Sequence, residues 1–156
     1  MTSPDDFKEA LGRFPSGVTV ITAEKDGETH GMTASAFMSV SLDPPLVLES
    51  VGKKARMHSI LMEAERYGVS ILNTAQAEAS NHFAGFGKED YKPSFEDLNN
   101  FPVIDGAVAQ LVCKIVDRHE AGDHTLFIAQ VEAVNYNDDA PILYYRRKYG
   151  QFDAQS

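Results

Sequence analysis

Three short stretches of the chain carry residue types suited to chemistry. The first runs from Gly31-Met-Thr-Ala-Ser through Asp43-Pro-Pro45 to Glu49-Ser-Val51. Its Thr33, Ala34 and Ser35 are small or hydroxylated, so a flat ligand can lie close against a backbone whose N–H groups still need partners. The second is Lys53-Lys-Ala-Arg56, just after Ser50, Val51 and Gly52. A hydroxyl, cations and the free N–H groups of a helix start suit an anion such as phosphate, although such a run is equally the solvated start of a helix. The third, His119-Glu-Ala-Gly-Asp-His-Thr125, gathers imidazoles and carboxylates around one turn. Folded inward, His119, Asp123 and His124 would make a metal cluster; left outward, His124 caps the turn or donates to a ligand. No metal is expected.

Elements that position these stretches follow from local pattern. Ser3-Pro-Asp-Asp6 is a helix start, with a serine cap, proline at the first position and acids at the positive dipole end. Phe7, Ala10, Leu11 and Phe14 share a face, which predicts a short docking helix that Pro15 ends. Val18-Thr-Val-Ile-Thr22 reads as a strand, Asp26-Gly27 as a hairpin turn, and 29–41 as one return strand. Leu42-Asp-Pro-Pro45 must turn, and Leu46 to Val51 is the next strand. A helix is expected over 55–66 with Gly68 capping its end, then a strand at 69–72. Thr74 is the expected cap of a second helix whose Ala75, Ala79, His82 and Phe83 share a face. Residues 85–106 read as a long loop, the kind that is usually functional or mobile. Strands at 109–115 and 127–133 alternate, and Pro141 opens an edge strand from Ile142 to Tyr145. Strands joined by short turns, with few helices, predict a mainly antiparallel barrel in a single domain over 1–156.

Bulk properties set bounds. A net charge of −9 in 156 residues argues against nucleic acid and anionic membranes as partners. One cysteine, Cys113, excludes an intrachain disulfide and a cysteine-rich metal site. With no long apolar run and no basic-then-apolar start, a soluble cytoplasmic protein is expected. No G-x-G-x-x-G follows a strand, since Gly85-Phe-Gly87 continues as Lys-Glu-Asp. Phosphate-loop, nucleophile-elbow and H-E-x-x-H patterns are absent as well.

Taken in order, Arg13-Phe-Pro-Ser-Gly-Val-Thr-Val-Ile-Thr22, Gly31 to Val51, the helix from Arg56 to Leu61, His119-x-Ala-Gly-Asp-His-Thr125 and Leu143-Tyr-Tyr-Arg-Arg-Lys-Tyr149 resemble the flavin reductase family. The resemblance implies a mainly β, Greek-key split barrel that binds FMN, with a few peripheral helices. It implies an NAD(P)H-dependent flavin oxidoreductase that passes hydride from NADH or NADPH to FMN or FAD. Such an enzyme works as a homodimer and feeds reduced flavin to a partner monooxygenase. By the same resemblance Thr33, Ala34 and Ser35 lie along the flavin ring, and Ser50, Val51, Lys53 and Arg56 hold its ribityl and phosphate. Asp123 and His124 stand on the nicotinamide side as the catalytic pair, with His124 a positioning donor. His82 and Phe83 approach the flavin tail, while Tyr145 and Tyr149 line the pyridine nucleotide. Two departures stand out: Met57 replaces a hydroxyl residue common in the family, and Glu49 is expected to set a carboxylate beside the phosphate. Other readings are a flavin-binding module without turnover, and an oxidoreductase that keeps its flavin and acts on another substrate.

Overall fold

The computed structural model describes residues 1–155. Helix α1 (Pro4–Leu11) opens the chain, followed by strands β1 (Ser16–Gly17), β2 (Thr19–Lys25), β3 (Glu28–Ala34), β4 (Phe37–Ser41) and β5 (Leu46–Gly52). Helix α2 (Arg56–Glu63), strand β6 (Arg66–Ile71) and helix α3 (Ala77–Phe83) come next. Strands β7 (Phe95–Leu98), β8 (Phe101–Ile104), β9 (Ala109–Ala121), β10 (His124–Tyr136), β11 (Ile142–Tyr145) and β12 (Lys148–Gln151) complete the chain.

A continuous β-branched run suits a strand buried on both faces, and β2 is one, with Thr19 to Ala23 all buried. It pairs with β3 through the Asp26-Gly27 turn, where both residues have positive φ, and with β6 on its other side. The main sheet has seven strands in the order β3-β2-β6-β9-β10-β5-β4, antiparallel throughout. Its two edge strands, β3 and β4, are consecutive in the chain and joined by Ser35-Ala36 alone. Three peptide links reach about 11 Å at most, so the sheet must roll until its edges meet. The Ser50 N–H donates to Ala36 O at 3.1 Å, carrying the β4–β5 ladder one step past Phe37 into that link. Ile21, Val47, Val51, Tyr67 and Phe127 fill the interior, and Met57, Ile60 and Leu61 of α2 pack into it. This is the mainly β antiparallel architecture expected, with three helices at the periphery.

Several local expectations need correction. The return strand at 29–41 breaks at Ser35, because its two halves serve opposite edges of the sheet. Helix α2 stops at Glu63 with Ala64 as its cap, and Gly68 lies inside β6. A Cβ on Gly68 would collide with Thr22 Oγ1 and stand 3.1 Å from Pro102 O, so close approach of strands explains the glycine. Thr74 does not cap α3; the cap is Gln76, and Asn73 Oδ1 accepts from Ala75 N instead. The segment 85–106 contains the β7–β8 hairpin, turned at Asn99-Asn100 with positive φ at both. Strands β9 and β10 extend to a two-residue turn at Gly122-Asp123, so His119 and His124 belong to a long hairpin. Helix α1 forms with its serine cap but buries none of its residues, leaving Phe7, Leu11 and Phe14 exposed. Met57 is a core residue and Glu49 points inward, so neither stands at a phosphate.

Candidate functional site

Where the rolled sheet's edges meet, the end of β3 faces α3 and the β11–β12 hairpin across a cavity of about 330 Å³. Thr33, Ala34 and Ser35 form one wall; Ser80, Asn81 and Ala84 of α3, together with Phe86, form another. Tyr144, Arg147 and Tyr149 complete it. The walls are tied together by hydrogen bonds with a definite direction. Thr33 Oγ1 donates to Ser80 O at 2.6 Å, fixing β3 on α3. Tyr149 Oη donates to Asn81 Oδ1 at 2.7 Å, so the 2.6 Å bond between Ser80 and Tyr149 must be donated by Ser80. Thr19 Oγ1 donates to Ala34 O at 2.7 Å from behind the wall. With the Thr33 hydroxyl and the Ala34 carbonyl engaged, Ser35 is the exposed hydroxyl of the three.

Strand β5 carries the site onward. The Ser50 N–H binds Ala36 O beside Ser35, and Gly52 pairs with His124 at the start of β10. The His124 imidazole lies against Gly52 and bonds to Asp123 Oδ1 through Nδ1 at 2.8 Å. Because an ionised carboxylate only accepts, Nδ1 carries the proton, and the bond pulls the Asp123 carboxyl below its usual range. Lys53 donates its N–H to Asp123 O at 2.9 Å and pairs with Glu120 through Nζ. The pair is exposed and screened by solvent, so it holds Lys53 only weakly. Helix α2 has no side-chain cap at Ala55; the His58 N–H is taken by Ala55 O at 3.0 Å, which leaves the N–H groups of Arg56 and Met57 for an anion beside Lys53.

The proposed residues thus fall into groups. Thr33, Ala34, Ser35 and Tyr149 share the cavity. Arg56 and Phe83 line an adjoining groove of about 300 Å³ with Gly31 and Ala84. Ser50, Lys53, Asp123 and His124 form the ridge at the hairpin end. Three stand apart. Val51 turns its side chain into the core and offers only backbone to a ligand. His82 packs edge-on against Phe83, with Tyr91 at 5.2 Å. Tyr145 falls on the opposite face of β11, in a second cavity with Pro15 and Lys148, because neighbours on a strand alternate.

Sequence reasoning missed Ser80, Asn81, Tyr144 and Arg147, which meet only in three dimensions. Recognising the Arg146-Arg147 pair as a hairpin turn would have placed Tyr144 and Tyr149 opposite each other, as the register does. His58 is a satisfied structural histidine, its Nε2 lying 2.8 Å from Thr125 Oγ1 and tying α2 to β10.

The cavity suits a flat conjugated ring: it is bounded by small residues and aromatic planes, with polar atoms at its edges. Residues 11–153 match the family model of the flavin reductase like domain. An NADH-dependent flavin reductase from a Rhodococcus species is 44% identical over 92% of this chain and 83% of its own length. The reductase component of 4-hydroxyphenylacetate 3-monooxygenase from Thermus thermophilus is 41% identical over 92% of this chain and 93% of its own. Among solved structures, a flavin reductase in its native state superposes with a TM-score of 0.95 at 44% identity, covering 98% of this chain and all of that one. An NADH:FAD oxidoreductase of Streptomyces globisporus, in complex with NAD and FAD fragments, superposes with a TM-score of 0.89 at 36% identity, over 98% of this chain and 96% of that one.

Proposed function

Because the chain belongs to the flavin reductase family, we propose that it is an NADH-dependent flavin reductase that supplies reduced FMN or FAD to a partner monooxygenase. The observation that carries this is the single cavity shared by Thr33-Ala34-Ser35 and the Ser80–Tyr149–Asn81 chain of hydrogen bonds. The relatives' dependence on NADH favours that nucleotide over NADPH. The whole of 1–156 acts as one flavin-binding domain in the cytoplasm, and no helix among the described residues is long and apolar enough to cross a membrane.

Bound flavin supplies the hydride-accepting ring, and the protein supplies orientation and fixed dipoles. Thr33, Ala34 and Ser35 hold one side of the ring, with Ser35 as the free hydroxyl at its rim. Ser50, Lys53, Arg56 and the start of α2 hold the ribityl phosphate. His124, oriented by Asp123, directs Nε2 toward the nicotinamide side. Tyr149 and Tyr144, with ring centroids 5.8 Å apart, offer stacking surface. No protein nucleophile is needed. Homodimer formation is supported by the apolar surface that one protomer leaves bare, on α1 and on edge strand β4, where Met38 and Val40 are exposed.

Titration of FMN and of FAD, followed by quenching of flavin fluorescence, tests the site. Ser35→Tyr puts a ring where the flavin would lie and is expected to weaken binding at least about tenfold. Unchanged affinity in a folded variant would remove the flavin from this wall.

A further inference from the structure

Alternation along β5 sends Val47, Glu49 and Val51 inward. By pattern the middle position calls for an apolar side chain. It holds instead a carboxyl with no exposure, neither of whose oxygens has a hydrogen-bond partner. Helix α2 brings only Met57, Ile60 and Leu61 to that interior. Phe37 of β4 and Phe127 of β10 are its cross-strand neighbours. Thr19 of β2, Tyr67 of β6 and Cys113 of β9 are the polar groups that feel it, and no cation among the described residues offsets its charge.

Both hydroxyls near it have already given their protons away. Tyr67 donates to Phe127 O at 2.9 Å, and Thr19 donates to Ala34 O at 2.7 Å. The Cys113 thiol, pushed up to about 12 chiefly by burial, stays protonated and is a weak donor. What surrounds Glu49 is therefore lone pairs, which a carboxylic acid can use and a carboxylate cannot. Burial drives its titration well above the usual carboxylate range, opposed by the Thr19 hydroxyl, which lies within reach of the carboxyl although its bond in this structure goes to Ala34 O.

We propose that Glu49 is a positioning residue for the Thr33–Ser35 wall, acting through Thr19: as a neutral acid it leaves the Thr19 hydroxyl bound to Ala34 O, and on ionisation it takes that hydroxyl for itself. The step releases one proton to solvent. The new carboxylate attracts the Thr19 O–H more strongly than a peptide carbonyl does, and Ala34 O loses the bond that holds the wall from behind. Flavin affinity thereby becomes coupled to the charge of a residue that never touches flavin. The proposal rests on the wall being the flavin site.

The sign of the linkage follows from the raised titration. Folded Glu49 keeps its proton above 4.5, where the unfolded chain loses it. Its contribution to stability is full below that pH and is lost as pH rises through the folded value.

The test measures FMN affinity by fluorescence quenching, and thermal midpoints of the flavin-free protein, from about pH 5 to about pH 9, the span in which buried glutamates are known to titrate. Wild type, Glu49→Gln, Thr19→Val and Ser35→Tyr are compared. Wild-type affinity should fall by about tenfold as Glu49 ionises, the effect of one hydrogen bond. Glu49→Gln, which stays neutral, should lack this component. Thr19→Val should lose it too, with the fall in thermal midpoint moved to higher pH because the carboxylate no longer gains the Thr19 hydroxyl. Parallel affinity profiles in wild type and Glu49→Gln would overturn the positioning role, even with different midpoints. Undiminished binding by Ser35→Tyr would instead overturn the flavin wall, and the proposal with it.

Discussion

His124→Ala is expected to slow flavin-dependent NADH oxidation by about a hundredfold, the scale on which a fixed donor near developing charge contributes. Flavin affinity should change far less, because the wall and the phosphate end are built by other residues. Stability should stay within about 0.5 kcal/mol, as for other exposed positions away from packing. The structure supports that separation. The imidazole bonds only to its neighbour Asp123, while the hairpin end is closed by backbone pairing of β9 with β10 and by Lys53 N–H on Asp123 O. Steady-state kcat, flavin affinity by fluorescence and a thermal melt check the three parts. Loss of stability matching the loss of turnover would make His124 a turn cap instead.

Gly68→Ala is expected to produce the opposite profile, a loss of about 2–3 kcal/mol in stability with flavin affinity intact. At this chain length that lowers the thermal midpoint by about 5–10 °C. The added methyl meets Thr22 Oγ1, Pro102 O and Val103 Cγ1, where β2, β6 and β8 converge. Two of these are not free to move. Thr22 Oγ1 is committed to Pro102 O at 2.6 Å, the bond that pins the β7–β8 hairpin on the sheet. Val103 is fully buried. Gly68 lines neither the cavity nor the hairpin ridge, so a folded variant should bind flavin as wild type does. Denaturant unfolding with a parallel flavin titration reads both quantities.

The same glycine shows where sequence reasoning reached its limit. A glycine after a helical pattern reads as a cap, and only the crossing of three strands reveals a close approach. Features set by local chemistry were legible: the Ser3-Pro4 helix start, the Asp26-Gly27 turn and the strand that became β5. The Asn99-Asn100 turn was absorbed into a loop reading because the strands beside it are only four residues long, and Arg146-Arg147 carries a weak turn signal, so β7, β8 and β12 were lost. The division of 29–41 into two edge strands was invisible for a different reason. Nothing local says that consecutive strands will pair with opposite ends of a sheet. In the site, Thr33, Ala34, Ser35 and Tyr149 came from motif recognition, whereas Ser80, Asn81 and Arg147 enter by tertiary packing alone. Glu49 was seen but assigned to the wrong side of its strand; counting alternation from Val47 and Val51 would have turned it inward.

Oxidation of NADH by the purified protein, with and without added FMN or FAD, is the most direct test of the account. It predicts rapid loss of reduced-nicotinamide absorbance that depends on both protein and flavin, with reduced flavin accumulating when oxygen is excluded. No flavin-dependent oxidation of NADH with either flavin would contradict it.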